Sequence, residues 1–410
     1  MARRRNAGTP RPAPIPIPED QVLGRRFIRL LDGQLQHLRE HCGHRNRRFF
    51  YDQLVVAHLL AFFNPILGGL RKIEDVFDVP AVQKRLKMPR VPKSTLADAQ
   101  RLFDPDLLLP LFESLKERAN IQEHDSRLDG VTNRLLAVDG SFFAVASRIA
   151  WALYNHSAKN NVTQGNVRVH MHFDILRGLP AHATLTDGRA SETEQLRDSL
   201  TAGCFYVCDR GFQQYQLLAD IIAKGSDFLV RLRKTASYEP IETRPLTAAD
   251  HAAGVLSDTQ VHLGWRKERT AIKQPLRLVE IAQPDKPDQP LLLVTNRFDL
   301  TAETISVIYR HRWQVELFFR WLKCMANFKH FYSESPQGMT LQIYIALIGT
   351  LLIAIETGAK PSSYDYALMS MAVNGLAPMD QILAQAAKRR AERHRAAERQ
   401  RARQAQKNNR

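Results

Sequence analysis

The chain has 410 residues, 44% of them hydrophobic, which is enough for two or three globular domains. Its 58 lysines and arginines outnumber 42 acidic residues, and the net charge of +16 indicates a polyanionic partner, nucleic acid ahead of a membrane surface. Four scattered cysteines argue against a disulfide framework and favour a reducing cytoplasm. The most apolar run, Ile343 to Ile355, is too short to span a bilayer and predicts a buried helix, so no membrane association is expected.

The first third of the chain is predicted to be helical. Residues 1–19 form a basic, proline-rich arm that is expected to be disordered, and residues 20–125 form a helical, DNA-binding domain. Predicted helices cover Val22 to Leu38, Leu54 to Phe63, Ile73 to Phe77, Val79 to Leu86 and Leu96 to Phe103, the last capped by Ser94 or Thr95. The last two helices and their basic turn resemble a helix-turn-helix DNA reader. Short helices joined by basic turns also occur in other α-domains, so both interpretations stay open.

The pattern changes to strands near residue 130. Predicted strands cover Arg134 to Val145, Asn166 to Ile175, Pro180 to Thr186, Cys204 to Cys208 and Asp227 to Leu232. The first three form a meander and helices separate the later ones, which predicts a mixed α/β sheet. This catalytic unit comprises residues 130–234 and 291–360.

A β-rich insertion, residues 235–290, interrupts the catalytic unit. Its predicted short strands are Gln260 to His262 and Arg277 to Ile281, and Leu291 to Val294 either ends the insertion or rejoins the sheet. Residues 361–410 form a C-terminal region. Its tail from 388 onward has ten cations against two glutamates, which predicts a frayed basic helix or a disordered segment with a non-specific electrostatic role.

One polar stripe stands out between Tyr309 and Lys323. Taken as a single helix advancing about 100° per residue, this segment places Tyr309, Arg312, Glu316 and Lys323 on one face. Apolar side chains occupy the opposite face. An acid among cations on one face suits metal-dependent chemistry on a phosphate, although a solvated face with i,i+4 ion pairs has the same pattern.

Two aspartates change the balance between those interpretations. Asp139 lies within the first predicted strand and Asp209 ends the fourth. A carboxylate in or at the end of an apolar strand is costly to bury unless it is paired or binds a cation. With Glu316 they make three acids on three elements, and oxygen ligands of this kind select Mg²⁺ or Mn²⁺ over zinc.

Asp139 in its strand, Asp209 in Asp-Arg-Gly-Phe, and the spacing Tyr309-x₂-Arg312-x₃-Glu316-x₆-Lys323 resemble the DDE transposases of bacterial insertion sequences. The chain is most similar to the insertion-sequence-four (IS-four) group, which carries a Tyr-Arg-Glu-Lys signature. The resemblance covers roughly residues 130–345, including an insertion before the glutamate helix.

The resemblance implies a ribonuclease-H-like fold and two Mg²⁺ or Mn²⁺ ions held by Asp139, Asp209 and Glu316. It further implies cut-and-paste transposition: cleavage of double-stranded DNA at the element's ends, then strand transfer into target DNA by a homodimer on paired ends. In that case Tyr309, Arg312 and Lys323 contact DNA phosphates. The location implied is the bacterial cytoplasm, in association with the nucleoid.

Other chemistry-bearing residues have two interpretations each. Trp265 lies among cations in the insertion and either stacks on an unpaired base or packs on a β-hairpin. His170 and His172 alternate onto one strand face, where core or phosphate-contact roles are favoured over metal binding. Cys204 and Cys208 are read as strand residues, since a zinc site is disfavoured there.

Three rival functions remain for this scaffold: a domesticated DNA-binding protein without activity, a ribonuclease-H-like nuclease without strand transfer, and a zinc hydrolase using His170 and His172. The terminal inverted repeats, the target preference, the use of a hairpin intermediate and the activity of this copy are not encoded in any pattern of the sequence.

Overall fold

A computed structural model describes residues 31–41, 49–64, 66–86, 88–121, 125–155, 163–264, 272–283, 285–286, 288–325 and 330–408. The helices are α1 Asp32–Glu40, α2 Tyr51–Phe63, α3 Leu70–Phe77, α4 Pro80–Leu86, α5 Lys93–Leu102, α6 Leu109–Arg118, α7 Glu192–Asp198, α8 Tyr215–Ala223, α9 Ala248–Ala252, α10 Ala302–His311, α11 Trp313–Met325, α12 Pro336–Thr357, α13 Ser363–Val373 and α14 Met379–Asn408. The strands are β1 Arg134–Val145, β2 Leu153–Asn155, β3 Thr163–Asp174, β4 Leu179–Asp187, β5 Cys204–Cys208, β6 Asp227–Arg231, β7 Tyr238–Thr243, β8 Val255–Leu263, β9 Leu276–Ile281 and β10 Leu291–Thr295.

All ten of these strands join one mixed sheet. Its order is β2-β3-β1-β5-β6-β10-β9-β8-β7, and β4 pairs with β3 in addition. The predicted meander is β1, β3 and β4, which pair antiparallel, whereas β5 is parallel to both β1 and β6. Strand β10 pairs with both β6 and β9, so it rejoins the sheet and also anchors the insertion, whose strands extend the same sheet.

The strands alternate between two hydrophobic clusters because successive side chains point to opposite faces. Leu135, Ala137 and Val207 belong to the cluster that also contains residues of α10, α11 and α12. Leu136, Val138 and Cys208 belong to the other cluster, with residues of α7 and α8. Helices therefore cover both faces of the sheet around β1 and β5.

Helix α12 is the central helix of the larger cluster. Helices α2, α5 and α6 pack against it, so the N-terminal helices share a core with the sheet. At 22 residues it is longer than the predicted apolar run, and by length and composition it could cross a membrane. However, 89% of its most apolar window is buried inside the protein. The prediction of a buried helix is confirmed, and its predicted length was wrong. The division of the chain into domains stays a prediction.

Several local predictions differ from the structure. Helix α5 begins at Lys93 after Pro92, so neither Ser94 nor Thr95 is its cap. The ring of Pro92 fixes an extended backbone at the N-cap position, so the helix begins before Ser94 and Thr95 and not after them. Strands β2 and β7 were not predicted, because their sequences show no clear alternation of apolar and polar residues. The basic tail is helical through Asn408. Residues 1–30, which include the arm and the first part of the predicted helix Val22 to Leu38, lie outside the described residues, and the rest of that helix corresponds to α1.

The contact between α2 and α12 depends on Gly349. A Cβ atom at this position would lie 2.3 Å from Cε1 of Phe62. We expect Gly349→Ala to lower the free energy of unfolding by about 1–3 kcal/mol, because overpacking outweighs the better helix propensity of alanine.

The matched control is Gly33→Ala in α1, where a Cβ atom meets nothing within 4 Å. Denaturant unfolding should show that this control is neutral or slightly stabilising. Equal effects of the two substitutions would contradict the packing argument.

Candidate active site

The site begins with the pairing of β1 and β5. These parallel strands are in register up to the pair Val138 and Cys208. The next residue on each strand is an aspartate, so Asp139 and Asp209 lie side by side, with a strand spacing of about 4.8 Å. Strand β5 ends there because Arg210–Phe212 form a short 3₁₀ helix, and β1 continues to Val145. The two predicted aspartates are therefore brought together where β5 ends.

Glu316 approaches Asp139 from α11. Asp139 alternates with Ala137 and so points to the sheet face on which α11 packs. Burial, and next the charge of Glu316, raise the pKa of Asp139 to about 7, while the Gly140 backbone N–H and Arg312 act in the opposite direction. Glu316 is therefore close enough to Asp139 for its charge to act on that carboxyl.

Arg312 holds one oxygen of Glu316 and leaves the other without a partner. Its Nη2 lies 2.7 Å from Glu316 Oε1. Glu316 Oε2 is buried without a hydrogen-bond partner, and so is Arg312 Nε. A buried carboxylate oxygen without a donor is costly, and it is an available ligand for a cation.

The predicted single helix from Tyr309 to Lys323 is in fact two helices, α10 and α11, that break at Arg312. The N–H of Arg312 bonds to the carbonyl of Tyr309, and the N–H of Val315 bonds to that of Arg312, so the chain tightens to i,i−3 bonds there. A one-residue break preserves the hydrophobic period on each side, which is why periodicity did not reveal it.

Tyr309 lies against Asp209. Its hydroxyl donates to Asp209 Oδ1 at 3.2 Å, and its ring lies 5.6 Å from the Arg312 guanidinium carbon. Burial is the main cause that raises the pKa of the Tyr309 hydroxyl well above its usual range, and the Asp209 charge adds to it. The phenol therefore remains a donor and orients the carboxylate.

Lys323 lies farther along α11. Its Nζ donates to Ser141 Oγ at 2.7 Å and lies 4.9 Å from the centre of the Phe143 ring. Ser141 is two residues after Asp139, so it shares the same sheet face. The polar residues of the predicted stripe thus face the sheet: Tyr309 contacts Asp209, Arg312 contacts Glu316, and Lys323 contacts Ser141.

Two further charged residues of the site were missed by sequence reasoning. Arg231 Nη1 lies 3.7 Å from Asp209 Oδ1, and Arg231 follows Val230, the register partner of Cys208. Its position at the end of the neighbouring strand is the signal that could have found it. Glu192 begins α7 and couples electrostatically to Asp139 and Asp209.

The histidines are held by protein groups. His170 Nε2 is 2.8 Å from Thr186 Oγ1, and His172 Nε2 is 3.2 Å from Ser199 Oγ. Burial, with a smaller contribution from Arg168, lowers the pKa of His170 to about 4. For His172, burial and next His182 lower the pKa to about 3. Trp265 lies outside the described residues.

The acidic residues of the site fit a hard divalent cation by their chemistry, because they offer carboxylate oxygens. One of these oxygens, Glu316 Oε2, is buried without a hydrogen-bond partner. Across the described ranges, no three His, Cys, Asp or Glu side chains form a ready-made metal cluster. Arg312 already pairs with Oε1 of Glu316, so a cation bound by that oxygen would compete with the ion pair or displace it.

The fold is an α/β mixed sheet in which aspartates lie side by side within β1 and just after β5, and a helix packed on the sheet carries a glutamate. Residues 132–352 match the family model described as "Transposase DDE domain", which is more than half of the chain. The chain belongs to this family, so its resemblance to the DDE transposases of bacterial insertion sequences is confirmed.

Three relatives are named as transposases. The transposase for insertion sequence element IS5377 of Geobacillus stearothermophilus is 22% identical over 323 residues, covering 78% of this chain and 81% of that protein. A Sinorhizobium fredii protein named as transposase y4zB is 25% identical over 200 residues, covering 48% of this chain and 55% of that protein.

Transposase InsG for insertion sequence element IS4 of Escherichia coli K12 is 25% identical over 201 residues, covering 46% of this chain and 44% of that protein. The chain therefore spans about half the length of two of these relatives. Among solved structures, the piggyBac transposase synaptic complex with hairpin DNA matches with a TM-score of 0.38 at 8% identity, covering 90% of this chain and 78% of that chain.

The raised pKa of Asp139 has a consequence for stability. Because its native pKa lies above the unfolded value, the carboxyl stabilises the fold fully below about pH 4 and loses that contribution as pH rises through about 7. Asp139→Asn should therefore raise the free energy of unfolding at pH 8 by on the order of 2 kcal/mol in chelator-treated protein.

Urea unfolding at pH 8 and pH 4 measures this difference, which should vanish at the lower pH. The gain should also shrink in a Glu316→Gln background, where one cause of the raised pKa is absent. A destabilised Asp139→Asn variant at pH 8 would contradict the electrostatic description of the site.

Proposed function

We propose that this transposase uses Mg²⁺ or Mn²⁺ to cleave double-stranded DNA at the ends of an insertion sequence and then joins those ends to target DNA, on a ribonuclease-H-like fold. The observation that carries the proposal is the adjacency of Asp139 and Asp209 beneath a helix whose Glu316 acts on the pKa of Asp139. The names of the relatives, which are transposases of insertion sequences, support the same activity.

Asp139, Asp209 and Glu316 are the residues that would hold two cations. Bound divalent cations activate the attacking oxygen and stabilise the leaving 3′ oxygen of a phosphodiester. The unpartnered Glu316 Oε2 supports this assignment, because it lacks a protein donor. Tyr309 orients Asp209 through its hydroxyl, and Arg312 balances the charge of Glu316.

The reaction needs two kinds of phosphoryl transfer, hydrolysis and strand transfer, and no covalent enzyme intermediate. Water first attacks the phosphorus at the element's end and releases a proton to solvent; the bond to the 3′ oxygen breaks, and that oxygen takes up a proton to become a 3′-hydroxyl. The freed 3′-hydroxyl then attacks a target phosphodiester in the same way. Tyr309, Arg312 and Lys323 would contact phosphates during both transfers, Arg312 through two N–H groups and Lys323 as a point charge.

We further propose that the protein acts as a homodimer on paired ends, in association with the bacterial nucleoid. The net charge of +16 supports binding to DNA along an extended surface. The arm before residue 20, the helices α4 and α5, and the basic part of α14 are candidates for contacts outside the active site.

Replacing any one acid of the proposed triad should abolish cleavage and leave DNA binding largely intact. We expect Asp139→Ala, Asp209→Ala or Glu316→Ala to reduce nicking by about 10³-fold or more, as when a central electrostatic stabiliser is removed. The substrate is a plasmid carrying the DNA that flanks the gene, with Mg²⁺ or Mn²⁺. Near-normal nicking by any of the three would show that the triad is misassigned.

The same plasmid assay separates the rival functions. Joining of a 3′ end to a second DNA supports transposition, and nicking without joining indicates a nuclease. Absence of nicking by the unaltered protein in Mn²⁺ indicates a DNA-binding protein without activity. Activity restored by Zn²⁺ and not by Mg²⁺ after chelation would favour the zinc hydrolase.

Phosphate contacts predict a distinct dependence on salt. Arg312→Ala and Lys323→Ala should each weaken binding to end DNA and reduce the slope of log K against log salt by about 0.9. Lys224→Ala, an exposed lysine after α8, is the control and should leave the slope unchanged. Weaker binding with an unchanged slope would mean that Arg312 and Lys323 act only on the structure of the site.

A further inference from the structure

Glu192 is a partly buried acid that is not one of the three acids of the proposed triad. It is the first residue of α7, and Ser191 caps this helix by accepting a hydrogen bond from the Glu194 N–H. Thr193 is only 4% exposed, so the helix start is anchored in the protein. Helix α7 packs on the sheet face opposite α11. Glu192 therefore reaches the site from the other side of the sheet than Glu316.

The carboxylate of Glu192 lies directly on the backbone next to Asp139. A Cβ atom built at Gly140 would lie 2.2 Å from Glu192 Oε1 and 3.1 Å from its Cδ. No side chain fits there unless Glu192 moves. Glycine at this position thus lets a fourth carboxylate come close to the first aspartate.

The charges of the acids act on one another. Glu192 is one of the causes that raise the pKa of Asp139. Burial, and then Asp209 against the opposing effect of Arg168, raise the pKa of Glu192 itself. Glu192 is thus within electrostatic reach of both aspartates, on which the proposed chemistry depends.

Arg168 balances this acid without holding it tightly. Its Nη1 lies 3.9 Å from Glu192 Oε2, which is longer than a hydrogen bond. The same nitrogen donates to the carbonyl of Ala190, and the guanidinium lies 4.1 Å from the centre of the Phe142 ring. The arginine is therefore anchored by other groups, and the Glu192 oxygen is not fixed by it.

We propose that Glu192 is a fourth carboxylate of the active site and helps Asp139 and Asp209 to hold a divalent cation. This inference rests on the proposed function. An acid in the first turn of a helix is also favoured by the helix dipole alone. Glu194 in the same turn satisfies the dipole equally but is exposed, so it separates the two explanations.

The test is Mn²⁺ binding by the full-length protein without DNA, measured by calorimetry or electron paramagnetic resonance. Glu192→Gln should weaken Mn²⁺ binding about 10-fold or more, in the range seen when a group supporting a metal site is lost. Glu194→Gln, which removes the same charge from the same turn, should stay within about twofold of wild type, as expected for a solvated charge.

Asp139→Asn and Asp209→Asn distinguish failure of this inference from failure of the proposed function. If both aspartate variants lose Mn²⁺ and Glu192→Gln binds it like wild type, Glu192 has no part in the site and the inference is overturned. If the aspartate variants also bind Mn²⁺ like wild type, the proposed cation site itself is wrong.

Gly140→Ala provides an independent test with Glu192 intact. The added methyl group should displace the carboxylate and weaken Mn²⁺ binding, whereas Gly130→Ala, with nothing within 4 Å of its Cβ position, should not. In a Glu192→Ala background, Gly140→Ala should cost little further affinity, because the clash with the Glu192 carboxylate is gone and only a 3.3 Å contact with Arg168 Cδ remains. If the losses of Mn²⁺ affinity from Gly140→Ala and Glu192→Ala were fully additive, the contact between Gly140 and Glu192 would not be the cause of the weaker binding.

Discussion

The parallel pairing of β1 with β5 is the constraint on which the rest of the site depends. Because the two strands are in register through Val138 and Cys208, the aspartates that follow them are neighbours whatever their side chains do. The same register continues to β6, whose Arg231 comes to Asp209. Helices on both faces then complete the site, α11 with Glu316 and α7 with Glu192.

Gathering acids in a partly buried place carries an electrostatic cost, which neighbouring arginines offset for three of the four acids. Glu316 has Arg312, Asp209 has Arg231 and Glu192 has Arg168 as its cationic neighbour. Asp139 instead responds with a pKa raised to about 7. The unpartnered Glu316 Oε2 and the raised pKa of Asp139 are the features that a bound divalent cation would relieve, whereas the Arg312–Glu316 ion pair would compete with it.

The sequence was sufficient for the parts of the molecule governed by local pattern. The bounds of β1 and β5 follow directly from runs of apolar residues, and the spacing of Tyr309, Arg312, Glu316 and Lys323 led to the family. The break at Arg312 was hidden because it preserves the helical period on both sides. Glu192 was hidden because its role depends on Gly140, 52 positions earlier in the chain, and only the folded sheet brings the two together.

The most direct test of the central claim is the position of Mn²⁺ in crystals of the full-length protein, located by anomalous scattering. We expect a peak at about 2.1 Å from carboxylate oxygens of Asp139 and Asp209, with Glu316 released from at least part of its contact with Arg312. A peak bound by His170 and His172, or none near Asp139 at saturating Mn²⁺, would contradict it.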